Sequence, residues 1–349
     1  IQKKMKLLMF TRKVDKNDAL AGFTFNWVKK IGERLERLYV ITWQKSDRGD
    51  LPENIEIISL PENKFFKILV LQKYLFSVLP KVNGIFCHMN PEYTIFSAPL
   101  AKILNKKVVS WYAHGSIGWK ARLVEKMADT IITSSPAGFR LSSKKVKILH
   151  QGIDTGIFRP AMDIKQDPRI TKIITAGRIS PTKDYESMIK AIGSLIKQKS
   201  LAIRFSIIGD SPLKSQDGYL LNLKNMVKLM GVEQEIEFLG EIPNMDLPRY
   251  LQSADIFINL SNTGSLDKAV LEAMASGCLV ITSNDAYAKI LPPELIAEKD
   301  NPGLLAEKIE KIMGLSEEEK NGLKSKLREE VIKNHNLDDL ALKIAQQFN

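Results

Sequence analysis

Lys172–Asp184 reads KIITAGRISPTKD, and Ile256–Thr282 reads IFINLSNTGSLDKAVLEAMASGCLVIT. Each opens with a short run of β-branched and aliphatic residues, turns through a glycine and passes into a stretch with helical apolar spacing. A near-continuous apolar strand followed by a helix is the repeating unit of a parallel sheet covered on both faces. The alternation extends outward in both directions. Ahead of it, strands are expected at Lys6–Thr11, Leu38–Trp43, Ile55–Leu60, Gly84–His88, Val108–Ala113, Thr130–Ser134 and Val146–His150. Helical spacing runs between them at Phe23–Leu38, Lys64–Leu79 and Ile95–Leu104. Further strands are expected at Lys172–Ala176, Ile203–Gly209, Ile236–Leu239, Ile256–Leu260 and Leu279–Thr282, with closing helices at Pro302–Met313, Glu317–Lys333 and Leu337–Gln347. The fold class is therefore α/β, with two Rossmann-like, doubly wound parallel-sheet domains.

The 349 residues accommodate two domains of ordinary size, and 44% hydrophobic with 26% charged residues excludes disordered and collagen-like classes. Thr155–Pro168, with two prolines and no periodicity, marks the break. The domains are placed at 1–160 and 161–334, with a terminal helix, 335–349, packing back on the first. Doubly wound sheets bind ligands beyond the carboxyl ends of their strands, so an interdomain cleft receives an edge from each domain. Cys87 and Cys278 sit in apolar runs and read as buried small hydrophobes. The opening IQKKMKLLMF carries no signal-peptide pattern, and no apolar run approaches the ~20 residues of a spanning helix. A soluble, cytoplasmic protein is expected.

Two stretches carry chemistry. In the first, Gly177-Arg178 and Lys183 occupy a strand-to-helix turn, where backbone N–H groups and the helix dipole already favour an anion. A guanidinium fork and an ammonium there suit a diphosphate. In the second, Gly264 and Ser265 make a turn, with Ser265 or Asp267 as the helix cap. Glu272 is a carboxylate inside the apolar run AVLEAMA; buried, it needs donors, which a sugar or ribose diol supplies. Lys268, four residues earlier, shares its helix face.

These motifs, in this order and about 90 residues apart, resemble the carboxyl-terminal half of family 4 glycosyltransferases with the GT-B fold. The likeness extends to IIGDSPLK at Ile207–Lys214, to EIEFLGEIPNMDLPRYLQSADIFINLS with its Gly240–Ile242 turn, and to LHQGIDTGIFRP at Leu149–Pro160. In the first half it is carried by Ala21-Gly22 and by Trp111-Tyr112-Ala113-His114-Gly115. The resemblance implies a retaining enzyme that moves a sugar from a nucleotide-diphosphate donor, such as a UDP- or GDP-sugar, to an acceptor hydroxyl without a metal or other cofactor. It assigns Arg178 and Lys183 to the diphosphate, where they stabilise the leaving group. Glu272 falls to the donor ribose, His114 to the donor sugar, and the N–H groups around Gly22, Val270 and Leu271 to phosphate. Gly177 and Gly209 shape the donor turns, and Gly240 with Ile242 lies near the base. One departure stands out. The family pattern has two glutamates separated by seven residues, and where the first belongs this chain has Gly264; its E-G-F-G has become Gly264-Ser265-Leu266-Asp267. Asp267 and Lys268 are the candidates to take over its sugar contacts.

Charge is segregated. Residues 1–160 hold 27 basic and 13 acidic residues, a net of +14, whereas 161–349 hold 24 and 27, a net of −3. A basic half suits an anionic partner. Lys64-Phe65-Phe66-Lys67 through Lys73-Tyr74-Leu75-Phe76 to Lys81 mixes lysines with apolar side chains at helical spacing, and Lys144, Lys145 and Lys147 add a second group. Either the helix lies on an anionic membrane surface, or Phe65, Phe66 and Leu69 are core. The first reading points to a lipid-linked or cell-envelope glycan acceptor and a peripheral location at the inner face of the cell membrane. A catalytically silent GT-B binding protein is the chief rival because of Gly264. An epimerase lacks the motif pair, a nicotinamide dehydrogenase lacks its glycine fingerprint, and no aromatic–basic pattern supports nucleic-acid binding. His88 reads as structural, and His150 and His335 carry no signal.

Overall fold

The computed structural model describes residues 5–115, 117–161, 167, 169–211, 217–261 and 264–349. The chain divides into two compact units, one of 1–154 with 243–245 and 335–349, the other of 155–242 with 246–334.

In the first unit, strands β1 (Lys6–Thr11), β2 (Arg37–Thr42), β3 (Ile55–Ser59), β4 (Gly84–His88), β5 (Lys107–Trp111), β6 (Thr130–Thr133) and β7 (Val146–Ile148) form one parallel sheet. Its order is β3-β2-β1-β4-β5-β6-β7, so the winding reverses between β1 and β4. Helices α1 (Gly22–Gly32), α2 (Lys64–Val78), α3 (Pro91–Ile103) and α4 (Trp119–Met127) connect the strands. The strands form where β-branched and aliphatic residues run together, and Leu7, Leu8, Met9, Ile85, Phe86 and Val109 are all fully buried. Helical spacing predicted α1 as far as Leu38; it ends at Gly32. Arg34 and Leu35 donate back to the Ile31 and Gly32 carbonyls, Glu36 donates to Met5, and Leu38 enters β2. Buried Leu35 and Leu38 continue the helical spacing of Ile31 although the chain has changed conformation, which is why the pattern overran.

The second unit has β8 (Thr171–Ala176), β9 (Ile203–Ile208), β10 (Ile236–Gly240), β11 (Ile256–Asn259) and β12 (Leu279–Thr282), in the parallel order β10-β9-β8-β11-β12. Helices α5 (Tyr185–Lys199), α6 (Asp217–Met230), α7 (Leu247–Gln252), α8 (Lys268–Ser276), α9 (Pro302–Met313) and α10 (Glu317–Asn334) surround it. Here the winding reverses between β8 and β11. The unit begins at Thr155, earlier than the expected boundary at residue 160. Arg328 donates to the Phe158 carbonyl, and Pro160 lies against Gly277, so these residues pack with the second unit. Of the expected break, residues 162–166 and Pro168 lie outside the described residues, as do Pro212–Lys214 and Thr263 of the quoted motifs.

The terminal helix α11 (Leu337–Gln346) returns to the first unit, where Leu337, Leu340, Ala341 and Ile344 join Trp27, Val28 and Ile31 in one core. Gly84 makes room for the end of this tail: a methyl there would meet the Phe348 ring at 2.6 Å. Cys87 and Cys278 are free and buried, and burial pushes their thiols up to about 11 and about 12. Among the described residues no helix is long and apolar enough to cross a membrane.

Helix α2 decides between the two readings of its aromatic residues. Leu71 and Leu75 face the core, whereas Phe65 is 69% exposed, Phe66 57% and Phe76 63%, with Ile68 and Leu69 exposed beside them. These phenylalanines are surface, not core.

Candidate functional site

In the second unit the turns that follow β8, β9 and β10 lie side by side at the carboxyl edge of the sheet. Gly177 N–H donates to Ile208 O at 3.0 Å, and Gly209 N–H donates to Gly240 O at 2.8 Å. A methyl on Gly209 would stand 1.9 Å from the Gly177 carbonyl oxygen, so only glycine allows this approach, at a φ of +132°. The Tyr185 hydroxyl fixes the same carbonyl from α5, donating at 3.1 Å. Arg178 projects from this turn and is exposed, whereas Lys183 is 9% exposed. Asp184, at φ +45°, caps α5 through Ser187 N–H and holds Asp300 N–H with its second oxygen.

The loop after β11 meets this turn at the reversal of the sheet. The Lys183 ammonium donates to the Asp267 carboxylate, the same oxygen that accepts from Asn259 Nδ2 at 3.1 Å. Burial works against the charge on Asp267; Lys183, Asn259 and Arg178 together outweigh it and hold the carboxyl below its usual range. Tyr287 donates its hydroxyl to Asp267 O at 2.6 Å, and Asn284 Nδ2 donates to Ser265 O at 2.8 Å, so the loop is tied down on both sides. Burial and the charges of Asp267 and Glu272 keep the Tyr287 phenol neutral well above its ordinary range. Gly264 takes φ +70°, as the turn requires. On α8, Glu272 is 5% exposed among fully buried Val270, Leu271, Ala273 and Met274. Lys268, one turn earlier, has its ammonium pushed down to about 7 by burial, against the pull of Glu272 and Asp267. The unit thus gathers two cations, Arg178 and Lys183, with a titratable lysine and two carboxylates at one topological switch point, where doubly wound sheets bind ligands.

Residues 170–314 match the model of the family described as "Glycosyl transferases group 1". This segment resembles a glycosyltransferase group 1 domain. Among curated relatives, the chain is 25% identical over 170 residues to mannosylfructose-phosphate synthase of Agrobacterium fabrum, covering 44% of this chain and 37% of that protein. It is 27% identical over 164 residues to the alpha-monoglucosyldiacylglycerol synthase of Streptococcus pneumoniae, covering 42% and 35%. The chain therefore matches little more than a third of the length of these relatives. Anabaena HepE, solved in complex with UDP-glucose, superposes with a TM-score of 0.80 over 98% of this chain and 99% of its own, at 16% identity. That likeness establishes the fold: the two parallel-sheet units are the two Rossmann-like domains of GT-B.

Several expectations meet a different geometry. Asp267 stands at the cap position of α8 and makes no side-chain cap bond, because the buried ammonium of Lys183 takes its carboxylate instead. Ser265 is not the cap. The Val270 N–H expected to be free donates to Asp267 O at 3.2 Å. Four side chains that the sequence does not single out brace these turns: Asn259, Asn284, Tyr185 and Tyr287. The only sequence signal for them is their place at strand ends or in the turns that follow. Gly240 closes β10 at φ +70°, and Ile242 is half-buried just beyond.

In the first unit, Gly22 opens α1, but its N–H already donates to Asp18 O at 2.9 Å, and Asp18 Oδ1 takes the N–H groups of Leu20 and Ala21. The free donors expected at Gly22 are spent on that acidic turn. His114 is exposed, just beyond the carboxyl end of β5. His88 ends β4, lies 3.1 Å from Thr11 Oγ1 through Nδ1, and packs with Trp27 at 4.7 Å between ring centres. His150 and His335 meet edge to face at 5.4 Å.

Proposed function

We propose that the chain is a retaining glycosyltransferase of the family 4 type, transferring a sugar from a UDP- or GDP-linked donor to an acceptor hydroxyl without a metal. The observation that carries this reading is the buried Lys183 beside Arg178, at the switch point of a segment that resembles a glycosyltransferase group 1 domain. Two cations, one of them buried and held in place, are suited to the charge that gathers on a diphosphate as its bond to the sugar breaks, and the buried one acts more strongly than it would in water. Glu272, a buried carboxylate, offers two acceptor oxygens to the ribose hydroxyls. Gly240 and Ile242 lie beside the base, and Gly177 and Gly209 bring backbone close to the phosphates. The UDP-glucose complex of Anabaena HepE supports a nucleotide-sugar donor.

The acceptor is lipid-linked or part of a cell-envelope glycan, presented at the inner face of the cell membrane. Helix α2 supports this: it exposes Phe65, Phe66 and Phe76 and also carries Lys67 and Lys73, in the half that carries +14. Gly264 keeps a silent binding protein in view, and turnover separates the two readings. The test is release of nucleoside diphosphate from UDP- and GDP-sugars, with lipid-linked acceptors in vesicles. Lys183→Ala and Glu272→Ala should each abolish release while circular dichroism stays native. Full activity in both variants would end this reading.

A further inference from the structure

Asp267 does not act as a helix cap, and its carboxylate does not face open solvent. One oxygen collects both the Lys183 ammonium and the Asn259 amide, and Asn259 is in turn held by Thr282, whose hydroxyl donates to its Oδ1 at 3.4 Å. The side chains of Lys183 and Asp267 are only 11% and 22% exposed, so solvent screens the pair weakly. The group most suited to grip a diphosphate is thus already bound to an anion belonging to the protein.

We propose that Asp267 is an internal counter-anion of the donor site, exchanging with the donor's diphosphate on Lys183. This rests on the donor-site reading above and deepens it. A diphosphate that reaches Lys183 shares the ammonium with, or displaces, a fixed carboxylate. Two anions on one ammonium repel across a partly desolvated gap. Asp267 therefore weakens the grip on any nucleoside diphosphate, the released product included, and leaves the nucleoside alone unaffected. Its second effect is to hold Lys183 in place between turnovers, so that the cation is oriented before donor arrives. The consequence for catalysis is a division of labour: binding energy comes from base, ribose and Arg178, while Lys183 is reserved for the charge that develops as the sugar leaves.

The experiment is calorimetric titration of the full chain and of Asp267→Asn with UDP, GDP, uridine and guanosine, with donor kinetics alongside. Asn keeps the size and a hydrogen-bonding oxygen and removes the charge. The expected result is at least a tenfold gain in affinity for the nucleoside diphosphate that the native chain binds. Nucleoside affinity should be unchanged, and donor KM should fall together with kcat as product release slows. Asp267→Glu should restore native values, and Asp267→Ser should gain affinity as Asn does, guarding against a folding artefact. Unchanged or weaker nucleotide binding in a folded Asp267→Asn would overturn the counter-anion role and leave the glycosyltransferase reading standing. No nucleotide binding by the native chain or any variant would overturn both.

Discussion

Gly209→Ala probes the packing of strand ends at the carboxyl edge of the second unit's sheet. The added methyl would stand 1.9 Å from the Gly177 carbonyl oxygen and 2.9 Å from its carbon, against the ~3.5 Å of an ordinary contact. The obstacle is backbone, so no rotamer change relieves it. The turns after β8 and β9 must part by more than about 1 Å, which strains the bonds of Gly177 to Ile208 and Gly209 to Gly240. Alanine at φ +132° adds about 1 kcal/mol, and overpacking adds about 1–3 kcal/mol, for a loss of about 2–4 kcal/mol. At ~2–4 °C per kcal/mol for a unit of this size, melting should fall by about 5–15 °C. All four tryptophans, Trp27, Trp43, Trp111 and Trp119, lie in the first unit. Calorimetry should therefore see the second unit melt early while tryptophan fluorescence changes little. Nucleotide binding should fall with it. A drop of less than about 2 °C would refute the close approach at Gly209.

Gly322→Ala should do the opposite: Gly322 is exposed within α10 with nothing in reach of an added methyl, so a gain of about 0.5–1 kcal/mol in a urea melt is expected. His335 predicts an acid limb in the first unit. Burial, then the charge of His150, pushes it from 6.5 down to about 4, so between those values the folded state holds fewer protons than the unfolded. Stability is therefore lost as pH falls from about 6.5 to about 4, by about 3 kcal/mol at ~1.4 kcal/mol per pH unit. Tryptophan fluorescence should follow it through Trp27, which donates to Gly152 O, and His335→Asn should flatten it. Replacing Phe65, Phe66 and Phe76 together by serine should cut co-sedimentation with anionic phosphatidylglycerol vesicles by about tenfold or more and leave the melt within about 0.5 kcal/mol, since these side chains are exposed. Equal sedimentation would remove the membrane reading of α2.

Where chemistry is local, the sequence was legible. β-branched runs gave every strand in its place, and the spacing of Leu337, Leu340 and Ile344 marked α11 as a helix with one buried face. Periodicity failed where one spacing serves two conformations, as at Leu35 and Leu38. It could not decide α2, because aromatic residues at helical spacing look alike whether they face a core or a membrane. Burial of Glu272 could be argued from its apolar neighbours in the sequence. The pairing of Lys183 with Asp267 could not: 84 residues separate them, and only the reversal of the sheet between β8 and β11 brings their turns together. Likewise Asp18, which takes up the N–H groups before α1, looks in sequence like any loop aspartate.

The central claim is that Arg178, Lys183 and Glu272 form the donor site of a sugar transferase. Calorimetry of the chain in EDTA against UDP, GDP and ADP and their sugar conjugates tests it most directly. One nucleotide series should bind without metal, and Arg178→Ala and Glu272→Ala should each abolish binding in a folded protein. Binding that survives both substitutions, or no binding by any nucleotide, would contradict it.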